Sequence, residues 1–382
     1  MAGAESASEK ARAQPLDRAW VLTAALSVGF HKAGLARADP LDPGPLDRML
    51  ERGCCADMVW IGATRRERLD PSLLLPEVKS VLVLALGYGV QDARASQASD
   101  DAQDAESQQN PADAEEGAGR THGLVARYAR GRDYHAVMKK KLARLSALLR
   151  ERDPEVRLFP SSDVTPVMEK AWAERAGIGW VGKNGCLITP ELGSWVLLAT
   201  VLIDRALEPD PPHPRHCGAC DACFAACPTG AIVEDGLIDA GRCISFQTIE
   251  RRGEIPLEVA ERNRRWVFGC DDCQTACPWN AARGPARLAC DPELQPRPGQ
   301  SRLELGELLA LTLDGYRARF YGTSLGRARY EGLLRNAVLA AGHTGEPAWI
   351  EPVRRLVESE FPGVRAAAVW ALSRLEQAAT VG

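Results

Sequence analysis

The feature that most constrains this chain is the spacing of eight of its twelve cysteines. Four of them form a CxxCxxCxxxCP motif, and the other four follow further along the chain, the last of them directly before Pro278. In chain order these are Cys217, Cys220, Cys223, Cys227, Cys243, Cys270, Cys273 and Cys277. This spacing is typical of a bacterial two-cluster ferredoxin module. The sequence therefore predicts a ferredoxin-like module that binds two [4Fe-4S] clusters.

The order of the cysteines also assigns the ligands. Three thiolates spaced two residues apart can bind one cubane, whereas a fourth that precedes a proline points toward the other cluster. The first cluster is then held by Cys217, Cys220, Cys223 and Cys277, and the second by Cys227, Cys243, Cys270 and Cys273. The second set is atypical because Cys243 lies well upstream of Cys270.

Two other uses of cysteine fit less well. Zinc usually binds two CxxC pairs that are separated by a spacer, and it needs neither a third close cysteine nor the CP dipeptide. Disulfides suit small secreted domains, but this chain has no apolar signal segment. Zinc stays open as the alternative, and the other cysteines, including the adjacent pair Cys54 and Cys55, are expected to be free thiols.

Composition predicts a cytoplasmic protein without a membrane anchor. A length of 382 residues indicates two or three domains. The longest apolar runs, such as Val81 to Leu86 and Trp195 to Ile203, are too short to span a bilayer and suit buried strands. No long apolar stripe is visible, which favours a monomer.

Charge is unevenly distributed along the chain. The formal net charge is −4, but residues 91–119 hold eight acidic residues and only one basic residue, Arg94. That stretch therefore contributes −7 and leaves +3 on the rest. Its lack of aromatic and large apolar residues predicts a disordered acidic insertion, dispensable for fold and activity, in a more basic folded body.

Periodicity divides the chain into segments. Residues 1–210 alternate helical patterns with apolar strands, which predicts an α+β domain. A cysteine-rich segment covers 211–290, a linker 291–325, and two alanine-rich helical patterns thirty residues apart indicate a helical-repeat domain at 326–382. The expected elements of the first domain are helices at Leu16–Ala33, at Tyr134–Arg150 and from Pro166, and strands at Ser80–Gly87, Cys186–Thr189 and Trp195–Leu202.

Two polar motifs stand out in the first domain. The Asp-Tyr-His motif that ends at His135 is either functional or a helix cap formed by Asp133. A longer motif runs from Asp163 to Asn184 and includes Gly-Ile-Gly-Trp-Val-Gly-Lys-Asn. It lacks the spacing of a phosphate-binding loop, so composition alone favours a structural turn.

These motifs together resemble the epoxyqueuosine reductase family. The resemblance rests on Asp163–Asn184, the Asp-Tyr-His motif, Arg68–Pro76, the cysteine motif with its Pro-Thr-Gly-Ala-Ile continuation, and Arg242–Glu250, all in the same order. It implies a cobalamin-dependent enzyme that removes the epoxide oxygen of epoxyqueuosine in the anticodon stem-loop of tRNA. It further implies a nitroreductase-like, corrinoid-binding first domain and HEAT-like C-terminal helices. The chain departs from the family at Cys54 and Cys55, where a Tyr-His-Gly sequence is usual.

The resemblance also implies roles for individual residues. Asp163 is expected to be the proton donor, with its pKa raised by burial against the corrin ring and Trp180. The alternative is that Asp163 caps the helix that starts near Pro166. Arg68, Lys183 and Ser245 are expected to contact cobalamin, although each could be an ordinary surface or turn residue.

RNA binding is predicted from charge and from the resemblance. Arg335 and Asn336 match a recurrent Arg-Asn pair of the family and are expected to contact tRNA. Further arginines lie nearby in the sequence, and contacts from such side chains to phosphates would be sensitive to salt. These are Arg251, Arg252, Arg262, Arg264, Arg265, Arg317, Arg319, Arg327 and Arg329.

Two rival functions remain open at this stage. The first is a plain ferredoxin-type electron carrier, and the second is a corrinoid reductase of a small molecule, similar to reductive dehalogenases. Those dehalogenases are usually exported with a twin-arginine signal, which is not visible here. The favoured function requires an electron donor, for which a flavodoxin or ferredoxin system is expected.

Overall fold

The computed structural model describes residues 14–89, 121–281 and 289–381. The predicted acidic insertion, 91–119, lies outside these residues. Within them, the strands are β1 Lys32–Arg37, β2 Ser80–Gly87, β3 His122–Val125, β4 Leu158–Ser161, β5 Trp180–Val181, β6 Leu187–Ile188, β7 Val196–Ile203, β8 Ile232–Glu234, β9 Leu237–Ile238, β10 Trp266–Phe268 and β11 Arg302–Glu304. The α-helices are α1 Arg18–Ser27, α2 Gly44–Glu51, α3 Trp60–Ala63, α4 Arg65–Leu69, α5 Tyr134–Arg152, α6 Glu169–Arg175, α7 Ala222–Ala226, α8 Ile244–Ile249, α9 Leu257–Ala260, α10 Asp272–Thr275, α11 Leu305–Leu309, α12 Leu313–Phe320, α13 Arg329–Thr344, α14 Ile350–Arg354 and α15 Pro362–Val381.

A four-stranded antiparallel sheet in the order β1-β2-β7-β4 forms the centre of the first part of the chain. Every residue of β2 is buried, because successive side chains point to opposite faces and both faces are covered. Leu82, Leu84 and Leu86 pack in one core with residues of α1 and α5, whereas Val81 and Val83 pack in another with residues of α6. The α+β class predicted from the sequence is confirmed.

One predicted helix is shorter than expected. The pattern from Leu16 to Ala33 contains α1, which ends at Ser27, and then the start of β1. Gly29 has a φ of +93°, a conformation that glycine adopts without the steric cost that a side chain would add. The chain reverses there and continues as a strand, so the prediction of one continuous helix was wrong.

A second sheet connects distant segments of the chain. Strand β3 pairs in parallel with β10 and antiparallel with β11, so strands from the first domain, the cysteine-rich segment and the predicted linker share one sheet. The two alanine-rich patterns form α13 and α15, which pack together closely: a Cβ at Gly342 would lie 2.8 Å from the Cβ of Ala371. Helix α13 also joins the cysteine-rich segment, because Asn336 donates to the carbonyl oxygen of Val267 at 2.8 Å.

Among the described residues, none of the helices combines the length and the apolar character that crossing a bilayer would require.

Candidate active site

The structure brings together the four cysteines that the spacing assigns to the first cluster. Cys217, Cys220, Cys223 and Cys277 line one cavity of about 240 Å³. The first three lie in the loop before α7 and in α7 itself, and Cys277 follows α10, so the cavity depends on contact between the two short helices. Cys220 is exposed to solvent, which places this cysteine group, the outer group, at the surface.

The four cysteines assigned to the second cluster form the inner group, which consists of Cys227, Cys243, Cys270 and Cys273. Burial raises the pKa of the Cys243 thiol, and the neighbouring Cys227 raises it further. Burial also raises the pKa of Cys270 well above its ordinary value, and Cys243 is again among its neighbours. Cys227 Sγ accepts a hydrogen bond from the backbone N–H of Ala231 at 3.2 Å, as a metal-bound thiolate would. None of these cysteines is exposed.

The geometry of the outer group favours a cluster over zinc. In the part of the chain that the structure describes, no three or more His, Cys, Asp or Glu side chains converge as a single metal ion would require. Zinc would draw its thiolates to about 2.3 Å from one point. The twelve cysteines all lie in the described residues and none forms a disulfide. The outer group instead surrounds a cavity of about 240 Å³, which suits a multi-iron cluster.

A larger cavity of about 760 Å³ lies beside the inner group. It brings together three residues that the sequence analysis selected, namely Arg68, Asp163 and Ser245. Ser245 belongs to α8, whose N-cap residue is Cys243, so the cavity adjoins the inner group through this helix. The other lining residues are Met58, Trp60, Thr64, Tyr128, Tyr134, His135, Val164, Thr165, Pro166, Phe246, Ile249, Glu250, Ser324 and Arg327.

Asp163 is held in an uncommon backbone conformation. Its φ is +65°, in the left-handed region that side chains other than glycine rarely adopt, and such strain tends to occur at functional sites. Its Oδ2 accepts hydrogen bonds from the hydroxyl of Tyr134 and from Nε2 of His135, the latter at 3.1 Å. Its backbone N–H donates to Oε1 of Glu169 at 2.8 Å. Two side chains therefore hold the carboxylate, and a third holds the backbone of Asp163.

The electrostatics of Asp163 correct one prediction. Hydrogen bonding from His135 lowers the pKa of Asp163, although burial opposes the shift. Hydrogen bonds to Asp133 and to Asp163 in turn raise the pKa of His135 to about 9. The expected raised pKa of Asp163 is therefore wrong for this arrangement, because the hydrogen bond from His135 favours the charged carboxylate. Burial instead raises the pKa of Glu169, to about 7.

The sequence left open that Asp163 and Asp133 are helix caps, and the structure supports this role only for Asp133. Helix α6 begins at Glu169 rather than near Pro166, and no side chain caps it, so Asp163 is not a capping residue. Asp133 does cap α5, because its Oδ1 accepts from the backbone N–H of His135 at 3.0 Å. The same carboxylate lies 2.8 Å from Nδ1 of His135. The cap and the functional interpretation of the Asp-Tyr-His motif are therefore compatible.

Lys183 and Trp180 lie elsewhere than expected. Lys183 lines the cavity of the outer group and lies 3.8 Å from Asp235, so it does not share the cavity of Arg68 and Ser245. Trp180 donates its indole N–H to Cys217 Sγ and is fully buried beside the outer group. Trp180 lies on β5, and Lys183 lies in the turn between β5 and β6. This hairpin places both residues beside the outer group.

Arg335 and Asn336 are structural residues, and the prediction that they contact tRNA was wrong. They are 2% and 0% exposed. Arg335 donates to the carbonyl oxygens of Gln247 and Gly253, each at 2.7 Å, and Asn336 donates to that of Thr248 at 2.8 Å. Burial lowers the pKa of Arg335 to about 9. The pair fastens α13 to α8, behind the inner group.

Sequence reasoning missed several members of the site. Tyr134 and Glu169 both bond Asp163, although neither was given a role in the site. Tyr134 had a signal, since it adjoins His135 in the motif. Glu169 lies within the Asp163–Asn184 motif but had none of its own, because its burial depends on how the loop after β4 folds back.

Comparisons with known proteins agree with this geometry. Residues 216–280 match a family described as 4Fe-4S double cluster binding domain, and residues 68–162 match one described as Epoxyqueuosine reductase QueG. An epoxyqueuosine reductase of Gloeobacter violaceus is 39% identical over 333 residues, which cover 86% of this chain and 97% of the relative. That of Escherichia coli K12 is 32% identical over 91% of this chain and 87% of the relative. The two-cluster prediction is thus confirmed.

Solved structures give the same result. The structure of an epoxyqueuosine reductase with an epoxyqueuosine-modified tyrosine tRNA stem loop has a TM-score of 0.80 and is 30% identical, over 95% of this chain and 94% of that chain. A Bacillus subtilis epoxyqueuosine reductase, with its catalytic aspartate loop swung out of the active site, has a TM-score of 0.79 at 30% identity and the same coverage. On the extent of these matches, which span nearly the whole length on both sides, the chain belongs to the epoxyqueuosine reductase family.

Proposed function

We propose that this protein reduces epoxyqueuosine in the tRNA anticodon stem-loop to queuosine. The observation that carries the proposal is the cavity of about 760 Å³ in which Asp163, His135 and Arg68 meet beside the inner cysteine group. Removing the epoxide oxygen as water consumes two electrons and two protons. The cavity thus joins a source of single electrons to a source of protons.

The cavity suits a corrinoid cofactor. Trp60 and Val164 line it and are 43% and 77% exposed, so apolar side chains are available to contact a corrin ring. Arg68 and Ser245 are the residues that would contact cobalamin, and burial already lowers the pKa of Arg68. When bound, cobalamin supplies a metal that can be reduced to a low-valent, strongly reducing state.

The chain itself supplies the first of the two protons, and the second comes from solvent. The imidazolium of His135 holds a proton between the carboxylates of Asp133 and Asp163. Asp163 can receive that proton and pass it to the departing oxygen, while the hydroxyl of Tyr134 keeps the carboxylate oriented. The uncommon φ of Asp163 and the bond from its N–H to Glu169 hold it toward the cavity.

The RNA-binding surface adjoins the mouth of the cavity. Arg327 lines the cavity and pairs with Glu250 through two bonds of 2.8 Å. Arg252 donates to the carbonyl oxygens of Ile249 and Arg327, and burial together with Arg329 and Arg327 lowers its pKa. Arg252 therefore lies close to two other arginines and bonds backbone rather than a carboxylate. This concentration of positive charge favours an anionic partner. Arg252 and Arg329 are therefore the side chains proposed to contact phosphates of the tRNA.

Several finer features complete the proposal. The first segment, 1–210, is proposed to be a nitroreductase-like corrinoid domain, and 326–382 to be HEAT-like, since α13 and α15 pack as paired repeat helices do. The cytoplasm is the proposed location. A flavodoxin or ferredoxin system is the proposed electron donor, and it would approach Cys220 because that ligand is exposed.

An anaerobic turnover assay tests the reaction. Protein with reconstituted clusters, cobalamin and a strong chemical reductant should convert a stem-loop that carries epoxyqueuosine into a product lighter by one oxygen. Asp163→Asn should lower the rate by about 10²- to 10⁴-fold, the range for loss of a general acid. Asp314→Asn, which changes an exposed carboxylate that does not line the cavity, should have no effect. Absence of conversion with both clusters and cobalamin bound would reject the proposal.

Binding experiments test the RNA surface separately. Arg252→Ala and Arg329→Ala should weaken binding of the stem-loop and reduce its salt dependence, by about 0.7 to 0.9 in the logarithmic slope for each lost phosphate contact. Arg354→Ala is the matched control, because Arg354 pairs with Glu351 and Glu376 on the C-terminal helices. Unchanged slopes in both variants would show that the phosphates bind elsewhere.

A further inference from the structure

Trp180 donates a hydrogen bond to a cysteine of the outer group. Its Nε1 lies 3.4 Å from Sγ of Cys217, and the indole is fully buried. The side chain also belongs to one apolar cluster with Cys277, another cysteine that lines the same cavity. No role in epoxide reduction follows from this position, because Trp180 lies outside the cavity of Asp163.

The indole is held rigidly in this orientation. Its ring stacks on His213 with centroids 5.3 Å apart, and the edges of His216 and Trp279 meet it at 5.0 and 4.8 Å. The hairpin that carries it is equally tight, since a Cβ at Gly179 would lie 2.1 Å from the carbonyl oxygen of Ile188. The indole N–H therefore cannot turn away from Cys217 without disturbing several neighbours.

We propose that Trp180 sets the reduction potential of the outer cluster through its hydrogen bond to Cys217. Uptake of one electron by a [4Fe-4S] cluster adds one negative charge, part of which resides on the thiolate sulfurs, and no proton is transferred. A fixed N–H donor stabilises the more negative state, and hydrogen bonds to sulfur are among the factors that set cluster potentials. The outer cluster is thereby easier to reduce by a low-potential, one-electron donor protein.

This inference rests on the proposed cluster assignment, and its test does not require turnover. The midpoint potentials of both clusters are measured in the full-length, cluster-loaded protein by redox titration followed by electron paramagnetic resonance. Trp180→Phe should lower one of the two potentials, with a change of about tenfold in the equilibrium constant for reduction, or about 59 mV for a one-electron couple. The other potential should stay where it is.

Two further proteins separate the hydrogen bond from packing. Trp279→Phe removes an indole beside the same cluster that makes no bond to sulfur among the described residues, and it keeps the backbone N–H of Trp279 that bonds Cys277, so both potentials should stay unchanged. Replacement of Trp180 by 3-benzothienylalanine keeps the size and shape of the side chain but lacks the N–H, and should reproduce the shift of Trp180→Phe even if that variant is poorly stable.

The outcomes distinguish the inference from the proposed function. If wild-type protein loads two clusters but the benzothienyl protein keeps both wild-type potentials, the inference is overturned while the cluster assignment stands. An equal shift in Trp279→Phe would also overturn it, since loss of packing alone would then explain the effect. If wild-type protein cannot load a cluster at the outer group, both the assignment and the inference fail.

Discussion

The outer and inner cysteine groups have similar spacing but different surroundings. The outer group includes the exposed Cys220 and is bordered by aromatic side chains of a loop and a hairpin. The inner group has no exposed cysteine, and Cys243 is the N-cap residue of α8, which lines the large cavity on one side and is bonded to α13 on the other. Surface access thus belongs to one group, and contact with the proposed chemistry belongs to the other.

This difference teaches how one module can serve two purposes. A cluster that receives electrons from a partner must lie near solvent, whereas a cluster that supplies a reactive site must be shielded from it. The nested order of the cysteines satisfies both requirements, because Cys227 and Cys277 each leave their own run and join the other group. Predictions that separate the two groups test the comparison directly.

The largest effect should come from loss of an inner ligand. Cys273→Ser should reduce turnover by at least about a hundredfold, the upper range for loss of outer-shell support alone, whichever electron donor is used. Cys220→Ser should abolish turnover with a protein donor but retain part of it with a small reductant that can reach the inner cluster directly. Turnover and iron content are measured for both.

Cys290→Ser provides the control for these variants, because Cys290 belongs to neither group and bonds only a backbone carbonyl. It should keep full iron content and turnover. If Cys220→Ser and Cys273→Ser lost the same activity with the small reductant, the outer group would be as indispensable as the inner one, and the comparison would break down.

The second effect concerns the support behind the inner group. Arg335→Leu leaves carbonyl oxygens of Gln247, Arg251 and Gly253 without this donor. Of these acceptors the carbonyl oxygen of Gln247 is buried, and an unsatisfied buried acceptor costs about 1 to 3 kcal/mol, so the free energy of unfolding should fall by at least about 1 kcal/mol. Denaturant unfolding measures the loss, and the signal of the inner cluster should disappear at lower denaturant than that of the outer cluster.

Arg354→Leu is the matched control on the same group of helices. Arg354 is half-exposed and pairs with Glu351 and Glu376, so its replacement should change stability by no more than about 0.5 kcal/mol. Simultaneous loss of both cluster signals in Arg335→Leu would show that the two groups are not supported independently.

The sequence predicted the parts of this molecule that depend on local pattern. Ser80–Gly87 is a strand over the expected residues, and the CxxCxxCxxxCP spacing anticipated which cysteine joins which group. Other predictions failed where distant contacts decide the outcome. An arginine-rich segment usually lies on a solvated surface. Arg335 is buried instead, because it donates to backbone carbonyl oxygens in and after α8. Likewise, no local signal shows that His135 lies beside Asp163.

The smallest effect should be a shift in the pH dependence of turnover. It concerns the large cavity beside the inner group and not the clusters themselves. The pKa of His135 is raised to about 9, first by Asp133 and then by Asp163, so the imidazolium is present below that pH and is lost as the pH rises through it. Turnover that draws a proton from His135 should therefore fall above about pH 9. Asp133→Asn removes the charge but can still cap α5, since asparagine is an equally good N-cap residue.

In Asp133→Asn the alkaline limb of kcat/KM should move down by about one pH unit, the lower range for loss of a neighbouring opposite charge. Both cluster potentials should remain unchanged, because Asp133 contacts neither cysteine group. Asp39→Asn, which alters an exposed carboxylate paired with Arg37, serves as the control and should leave the profile in place. An alkaline limb that stays near pH 9 in Asp133→Asn would exclude His135 as the proton source and leave Asp163 to draw its proton from solvent.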